Sequence, residues 1–202
     1  MRQEDQRGIL FAMNIGILGS GNVGGTLGKR WAEIGHSVVF ATRDRASIEA
    51  AANSEVIVVA LPWDAARSVL ESLDLRGRIV FDVMNPLLPD LSGFAVGATT
   101  SGGEQVAKWA PGASVIKIFN TTGSNNMADP IYNNEPVAMF YCGDDPSAKA
   151  VANRLASELG FDPIDAGPLQ NARLLESVAM LWIWLALKGG LGRDIAFKLA
   201  RR

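Results

Sequence analysis

Short apolar runs alternate along the chain with longer segments in which apolar residues recur at helical spacing. This alternation predicts a parallel β-sheet whose strands are joined by crossover helices. The apolar runs are nearly continuous, which is typical of strands covered on both faces. The predicted strands are Asn14–Leu18, Val38–Thr42, Val56–Leu61, Ile79–Val83, Ser114–Phe119 and Ala138–Cys142, and the predicted helices are Val23–Ile34, Asp64–Leu73, Gly103–Trp109, Ser147–Leu159 and Ala172–Leu187.

The last predicted helix contains the most hydrophobic stretch of the chain, AMLWIWLAL at 179–187. This stretch is far shorter than the roughly 20 residues that a membrane-spanning helix needs, so it predicts a buried helix and no membrane partner. The helix is apolar nearly all round, and such a helix needs cover on more than one side. We expect one side to pack on the sheet and the other to form a homodimer. The alternative is a helix buried within a single chain.

The composition is that of an ordinary globular protein, with 48% hydrophobic and 20% charged residues among 202. A formal net charge of −2, without a basic cluster, argues against nucleic acid or an anionic membrane as a partner. The single cysteine, Cys142, is predicted to be buried and inert, and its isolation favours a reducing, cytoplasmic compartment. The single histidine, His36, is expected in a surface turn or at a helix end, which leaves no histidine-based triad or metal site.

A glycine-rich loop follows the first predicted strand directly. The residues from Gly19 to Gly24 read G-S-G-N-V-G, a G-x-G-x-x-G pattern between a strand and a helix. Gly19 permits the tight turn, Gly21 allows a pyrophosphate to approach the backbone, and Gly24 lets the helix lie close to the strand. The free N–H groups of the helix N-terminus would then bind the phosphates. This context indicates a dinucleotide site, the alternative being a turn without a ligand.

The tip of the second predicted strand distinguishes NAD from NADP. NAD enzymes place an Asp or Glu there, about 20 residues beyond the loop, to bind the ribose diol. Here the strand ends in Thr42 and Arg43, a hydroxyl and a guanidinium that suit a 2′-phosphate. Arg45 could add charge, whereas Asp44 could still serve a diol. The sequence favours NADP(H).

Other strand ends carry polar or apolar residues at the same edge, where ligands of open α/β sheets bind. Leu61 and Pro62 follow the third strand and form an apolar lip. Asn85 follows the fourth strand and offers an amide to the nicotinamide end. The segment from Asn120 to Gly123, which includes Thr122, follows the fifth strand. Ordinary turn chemistry is the alternative for each of them.

The sequence resembles the deazaflavin (coenzyme F420)-dependent NADP oxidoreductases, to which the cytosolic reductase domain of the six-transmembrane metalloreductases is related. The resemblance is carried by GILGSGNVGGTLGKRWAEIGHSVVFATRD, VVALPWDAA, VFDVMNPL, VIKIFNTTG, YCGDD and DAGPLQNARLLESVAMLWI. It implies that the pyrophosphate is held by Ser20, Gly21, Asn22 and Val23, and the 2′-phosphate by Thr42 and Arg43. It also implies that Leu61, Pro62 and Asn85 line the path to the nicotinamide. The segment from Asn120 to Gly123 would face the second redox partner.

The chain departs from the family pattern at two places. The segment between Arg43 and Val56 is short, where family members usually hold a further helix and strand beside the adenine pocket. The loop FNTTGSNN replaces the histidine-containing loop that deazaflavin reductases present to their coenzyme. We expect an α/β fold of the Rossmann type, doubly wound and mostly parallel. Its divisions would be an N-terminal extension at 1–13, an NADP-binding Rossmann domain at 14–166, and a C-terminal helical segment at 167–202 that packs on the same domain.

These features predict an enzyme that transfers hydride between NADPH and a small-molecule redox acceptor, a flavin-like ring or a deazaflavin such as coenzyme F420. Hydride transfer needs little from the protein beyond distance, orientation and exclusion of water. Two alternatives stay open: reduction of a small imine or carbonyl compound, and a non-catalytic NADPH sensor. Carbonyl reduction usually needs a proton donor, for which Lys117, Tyr132 and Tyr141 are candidates.

Overall fold

The computed structural model describes residues 12–97, 99–200 and 202. Most of the predicted N-terminal extension, residues 1–11, lies outside the described residues. The strands are β1 Asn14–Leu18, β2 Ser37–Ala41, β3 Val56–Val59, β4 Ile79–Asp82, β5 Ser114–Lys117, β6 Ile131–Tyr132, β7 Glu135–Pro136, β8 Ala138–Gly143 and β9 Asp162–Asp165. The helices are α1 Asn22–Glu33, α2 Arg45–Ala52, α3 Trp63–Glu71, α4 Gly102–Trp109, α5 Ser124–Ala128, α6 Pro146–Glu158 and α7 Ala172–Leu187, with one 3-10 turn at Leu169–Asn171.

The main sheet has seven strands in the order β2-β1-β3-β4-β5-β8-β9. The strands from β2 to β5 are parallel, whereas β8 runs antiparallel to β5 and parallel to β9. Helices cover both faces, with α1 and α6 on one and α3 and α4 on the other. The predicted Rossmann-type, mostly parallel fold with a C-terminal helix is therefore confirmed.

Packing of α1 against the sheet explains how the first strand–helix unit holds together. Leu27 and Trp31 of α1 are fully buried. The Trp31 indole donates to the Leu155 carbonyl of α6 (3.2 Å), and its ring meets that of Phe119 edge-on at 5.7 Å. These contacts tie α1 to the end of β5, and thus hold the first helix and the fifth strand tip in one rigid arrangement.

The segment after Arg43 contains a helix that sequence reasoning missed. Residues 45–52 form α2, whose Asp44 cap accepts from the Ser47 N–H at 2.9 Å. A Cβ on Gly16 would lie 2.0 Å from the Ala51 carbonyl, so α2 packs directly on β1. No strand follows α2 beside β2, so β2 is the edge of the sheet. Val39 and Phe40 of β2 are therefore partly exposed, whereas the sequence predicted a strand covered on both faces.

Helix α7 is only half buried, which corrects the prediction of a buried helix. One stripe, which includes Leu175, Ala179 and Trp182, packs on the domain. The opposite stripe leaves large apolar side chains at least half exposed, namely Leu174, Leu181, Trp184 and Leu187. Within the part of the chain that the structure describes, no helix is long and apolar enough to cross a membrane.

His36 is buried and so does not lie in a surface turn, but it follows the C-terminal end of α1 closely, as the alternative of a helix end predicts. Its Nε2 lies 2.8 Å from Glu158 Oε2, and its Nδ1 accepts from the Met13 N–H at 3.1 Å. It precedes β2 and therefore lies at the amino end of the parallel strands. Its role is to join β1, β2 and α6 at the edge opposite the glycine loop.

Candidate functional site

The carboxyl ends of the parallel strands lie side by side at one edge of the sheet. Leu18 of β1 pairs with Ala41 of β2 and with Val59 of β3, which in turn pairs with Asp82 of β4. Asp82 then pairs with Lys117 of β5. The segments that follow these five positions contain every candidate site residue, so the sheet brings all of them to a single edge.

The glycine loop has the geometry that a bound pyrophosphate requires. Gly19 adopts a φ of +100°, and a Cβ there would lie 2.3 Å from the Ala60 carbonyl at the end of β3. A Cβ on Gly24 would lie 2.0 Å from the Gly19 carbonyl, so α1 can pack close to the loop only with glycine at this position. Gly21 is exposed with open space around it, which leaves its backbone accessible to a ligand.

The N-terminus of α1 carries no side-chain cap. Helices α2, α4 and α6 begin at Asp44, Ser101 and Asp145, and each of these side chains accepts from a backbone N–H of its helix. Helix α1 begins after Gly21, with no side-chain cap and no acidic residue in its first turn. Helices α3, α5 and α7 also lack a side-chain cap, but only α1 follows the glycine loop. Its first N–H groups thus have no side-chain acceptor, and they lie beside the exposed Ser20 and Asn22 and the half-buried Val23, which suits a phosphate group.

Beyond the tip of β2, the carboxylate of Asp44 is held by hydrogen bonds, whereas the guanidinium of Arg43 is exposed. The Thr42 hydroxyl donates to Asp44, and Asp44 also accepts from the Ser47 N–H. These hydrogen bonds, that of Thr42 first, lower the pKa of Asp44 to about 2. Arg45 is paired with Glu49 at 2.7 Å. Arg43 is exposed and has no ion-pair partner among the described residues, so it remains available for an anion.

Asn85 and Asn120 interlock across the ends of β4 and β5. The Asn85 amide donates to the Asn120 carbonyl at 3.0 Å, and the Asn120 amide donates to Asn85 Oδ1 at 3.1 Å. Asn120 is 4% exposed, and its Oδ1 has no hydrogen-bond partner among the described residues. An unpaired buried acceptor is costly, so this oxygen is a candidate acceptor for a hydrogen-bond donor that is absent from the structure. Sequence reasoning offered Asn120 only as one of several loop residues.

The backbone before Asn120 is held in a left-handed conformation. Phe119 has a φ of +59°, a region that costs a bulky residue of order 1–3 kcal/mol. The Phe119 ring is fully buried between Trp31 and Phe161, at 5.7 and 5.9 Å between ring centroids. Packing of the ring therefore fixes the direction in which the chain leaves β5.

The remaining predicted residues lie around this edge. Leu61 is half-buried and Pro62 is exposed at the start of α3, as an apolar lip after β3. Thr122 lies beyond Asn120 and accepts from the Asn126 amide at 2.8 Å, so it is tied to α5 rather than to Asn85. The structure thus joins Gly19 to the end of β3, and Asn85 to Asn120, while Thr122 belongs to a neighbouring network.

A fully buried charge cluster lies behind Asn85. Lys117 Nζ is 2.9 Å from Asp82 Oδ2 and 3.0 Å from Glu176 Oε1, and it donates to the Met84 carbonyl at 2.6 Å. Burial would lower the pKa of Lys117, but the carboxylates of Asp82 and Glu176 together raise it above its ordinary value. The ammonium therefore stays charged. Sequence reasoning considered Lys117 only as a proton donor and missed both carboxylates.

Of the two tyrosines proposed as proton donors, Tyr132 donates its hydroxyl proton to another side chain, whereas Tyr141 only accepts a hydrogen bond. The Tyr132 hydroxyl donates to Asn126 Oδ1 at 2.6 Å, and burial, followed by Asp194 and Asp129, raises its pKa. The Tyr141 hydroxyl lies 3.4 Å from the Asn153 amide of α6. Neither hydroxyl contacts Asn85 or Asn120, so neither one forms part of the interlocked pair.

Comparison with known proteins agrees with this geometry. Residues 14–53 and 45–86 match the family model of the coenzyme F420-dependent NADP oxidoreductases. A crystal structure of a putative F420-dependent NADP reductase from Arthrobacter sp. FB24 superposes with a TM-score of 0.82 and 30% identity, covering 94% of this chain and 100% of that chain.

Curated relatives extend the comparison. Metalloreductase STEAP3 from Rattus norvegicus is 31% identical over 84% of this chain, although the chain spans only 37% of that relative's length. The F420-dependent NADP reductase of Methanothermobacter marburgensis is 27% identical over 87% of this chain and 93% of its own length. With its glycine loop, its strand-edge residues and these relatives, the chain belongs to the family of coenzyme F420-dependent NADP oxidoreductases.

Proposed function

We propose that this protein transfers hydride between NADPH and a flavin-like or deazaflavin acceptor. The observation that carries the proposal is the uncapped N-terminus of α1 together with the uncommitted guanidinium of Arg43 one strand away. The helix N-terminus suits a pyrophosphate, and the guanidinium suits a 2′-phosphate. NADP(H) carries both groups.

The residues that would hold NADPH follow from their places along the strand edge. Ser20, Gly21, Asn22 and Val23 would surround the pyrophosphate. Arg43 would take the 2′-phosphate, because Asp44, the alternative partner for a diol, is committed to capping α2. Thr42 would join it by turning its hydroxyl, which donates to Asp44, toward the phosphate. Leu61, Pro62 and Asn85 would lie toward the nicotinamide, with Asn120 hydrogen-bonded to Asn85 at the same strand ends.

Bound NADPH supplies the hydride, and the protein's task is to orient the ring and exclude water. Two of the candidate proton donors, Lys117 and Tyr132, already donate to other groups of the protein. This favours hydride transfer to a ring over reduction of an imine or carbonyl, which usually needs a proton from the protein. Lys117 is surrounded by three acceptors inside the cluster, and Tyr132 is held by Asn126. A ring acceptor can take its proton from water.

The acceptor is proposed to lie beside the segment from Asn120 to Gly123. This segment follows β5 at the same edge, and Gly123 lies against Trp182 of α7, with a Cβ there 2.7 Å from the indole ring. A separate cleft of about 420 Å³ lies between α7, where Leu174 and Glu176 line it, and a wall that includes Phe94, Val96 and Thr100. That volume is within the range of small-molecule sites, so this cleft is the competing position.

The test is turnover of NADPH with a panel of acceptors. We expect NADPH oxidation with coenzyme F420 or with a free flavin, and none with simple imines or carbonyl compounds. Turnover with imines or carbonyls alone would replace the proposed acceptor class. Tight NADPH binding without turnover across the panel would point to a sensor instead.

The same proposal includes a homodimer and a cytoplasmic location. The dimer would form through the exposed stripe of α7. The two charged residues of this helix, Arg173 and Glu176, pair with Glu104 and Lys117 of the same chain. An uncharged apolar face of this kind can meet its own copy without repulsion. The cytoplasmic location is supported by the single, buried Cys142, which needs no oxidising compartment.

A further inference from the structure

In the Asp82–Lys117–Glu176 cluster, the acidic groups outnumber the basic ones. Two carboxylates face one ammonium, and the exposed fractions of the three side chains are 0%, 0% and 3%. Each carboxylate oxygen has a donor. Asp82 Oδ2 faces Lys117, and Asp82 Oδ1 accepts from the Met84 N–H. Glu176 Oε1 faces Lys117 and the Gly103 N–H, and Oε2 accepts from the Gly102 N–H. Because all four oxygens act as acceptors, the geometry fits two ionised carboxylates and a net charge of −1.

The cluster lies directly behind the residues assigned to the nicotinamide end. Lys117 donates to the carbonyl of Met84, the residue before Asn85. Asp82 precedes Asn85 by three positions, so their Cα atoms are at most about 11 Å apart. A Cβ on Gly102, which Glu176 binds, would lie 3.2 Å from the Pro86 ring. The charge is therefore close to this strand end. Its side chains are at least 97% buried, and only Glu176 borders the cleft beside α7, so solvent screens the charge weakly.

We propose that the buried negative charge of this cluster acts on the nicotinamide end of the bound nucleotide and favours its oxidised, cationic form over the reduced, neutral form. This inference rests on the proposed function. The nicotinamide ring of NADPH is neutral, and it becomes a cation when the C4–H bond breaks and both electrons leave with the hydride for the ring acceptor. A fixed negative charge nearby stabilises the cation, and thus promotes hydride donation.

The expected size follows from Coulomb's law. If the ring lies about 12 Å from the charge, close to the upper bound on the Asp82–Asn85 separation, a unit charge at an effective dielectric constant of about 20 changes an affinity ratio about tenfold. The positive end of α4 points at Glu176 and offsets part of the charge, which reduces the expected change to about three- to tenfold. A purely structural cluster would weaken both forms of the nucleotide together.

The experiment replaces each carboxylate in turn by its amide, in Glu176→Gln and Asp82→Asn. Dissociation constants for NADP+ and NADPH are measured separately by isothermal calorimetry, with circular dichroism to verify folding. We expect the ratio of the NADP+ constant to the NADPH constant to rise about three- to tenfold in both variants. This corresponds to a bound-nucleotide potential about 15–30 mV less negative, since tenfold is 29.6 mV for a two-electron couple.

The matched control is Glu104→Gln. Glu104 is also a carboxylate beside α4 and pairs with Arg173 at 2.7 Å, but its pair is partly exposed and screened by solvent. The ratio should stay within about twofold of wild type in this variant. An equal loss of both affinities in Glu176→Gln and Asp82→Asn, with an unchanged ratio, would overturn the inference and leave the proposed function standing.

The remaining outcomes separate the two proposals. Wild-type protein that binds neither nucleotide would remove the proposed function itself. If neither amide variant folds, a triple variant with Asp82→Asn, Lys117→Met and Glu176→Gln leaves no unpaired buried charge. The ratio should rise about three- to tenfold in this variant too, and an unchanged ratio would overturn the inference.

Discussion

Lys117 and Asp82 are register partners on β5 and β4, and their charged groups meet at 2.9 Å with both side chains fully buried. Lys117 also bridges to Glu176 of α7, so one ammonium joins two strands and a helix. Removing one member of a buried ionic group is far more damaging than removing an exposed pair, because the remaining charges stay buried without compensation.

Lys117→Met is therefore expected to lower the free energy of unfolding by about 3–5 kcal/mol. Lys29→Met is the matched control, since Lys29 pairs with Glu33 at 3.9 Å with both side chains more than half exposed, and it should cost at most about 1 kcal/mol. Urea unfolding measures both. Because the folded-state pKa of Lys117 is raised from 10.5, its contribution is complete below that pH and is lost only as the pH rises beyond it. Equal losses in the two variants would contradict this account.

Cys142 should be inert in the folded protein. Burial raises the pKa of its thiol from 9.0 to about 12, so the nucleophilic thiolate is scarce at neutral pH. We expect no reaction with Ellman's reagent at about pH 8 until denaturant is added, whereas a Ser68→Cys variant, exposed on α3, should react at once. Rapid native labelling of Cys142 would mean that β8 opens to solvent.

The strands of the sheet centre were predictable because they are continuous apolar runs, and the β1–loop–α1 unit because its glycines have a spacing with a known physical cause. Helix α6 was marked by Asp145 and by Pro146 in its first turn, and both occupy those positions. Helix α2 was missed because RASIEAAA is short and its packing depends on Gly16, a residue of another element.

The charge cluster could not be predicted, since its members lie on β4, β5 and α7 and meet only after the sheet has formed. One signal was present in the sequence: Asp82 and Lys117 are charged residues at the ends of otherwise apolar strands, which calls for partners. Likewise, the exposure of half of α7 depends on which stripe faces the domain, and hydrophobicity all round the helix does not reveal that.

Thr122→Trp should block access of the acceptor and leave NADPH affinity nearly unchanged, if the segment from Asn120 to Gly123 faces the second ring. Thr122 is half-buried, and its hydroxyl contacts Asn126 rather than Asn85, so a larger side chain should project away from the interlocked pair. The measurements are a fluorescence titration with NADPH and the KM for the acceptor. Leu174→Trp, in the cleft beside α7, is the comparison. A raised KM in Leu174→Trp alone would place the acceptor in the cleft beside α7. A loss of NADPH affinity in Thr122→Trp would mean that the segment from Asn120 to Gly123 contacts NADPH rather than the acceptor.

The α7 stripe gives a prediction about assembly. Leu181 and Trp184 are 50% and 53% exposed on an uncharged face, and we expect Leu181→Glu to convert a dimer into a monomer by burying a charge at the contact. Ile131→Glu is the control, because Ile131 is 45% exposed on the β6–β7 hairpin, away from α7. Light scattering at micromolar concentration measures the mass. A monomeric wild-type protein, or a dimer that survives Leu181→Glu, would contradict the dimer.

Arg43 gives the sharpest test of nucleotide choice. Its guanidinium is exposed at the tip of β2 without an ion-pair partner among the described residues, whereas the neighbouring Arg45 is paired with Glu49. Hydrogen bonds to a charged group contribute about 1.5–3 kcal/mol, so Arg43→Ala should weaken NADPH about ten- to a hundredfold and leave NADH almost unchanged. Arg45→Ala should change NADPH much less, and added salt should weaken NADPH more than NADH. Both cofactors are titrated against wild type and both variants. Equal wild-type affinity for NADH and NADPH would overturn the assignment, and so would an Arg43→Ala protein that kept its preference, because the 2′-phosphate would then be held by a different group.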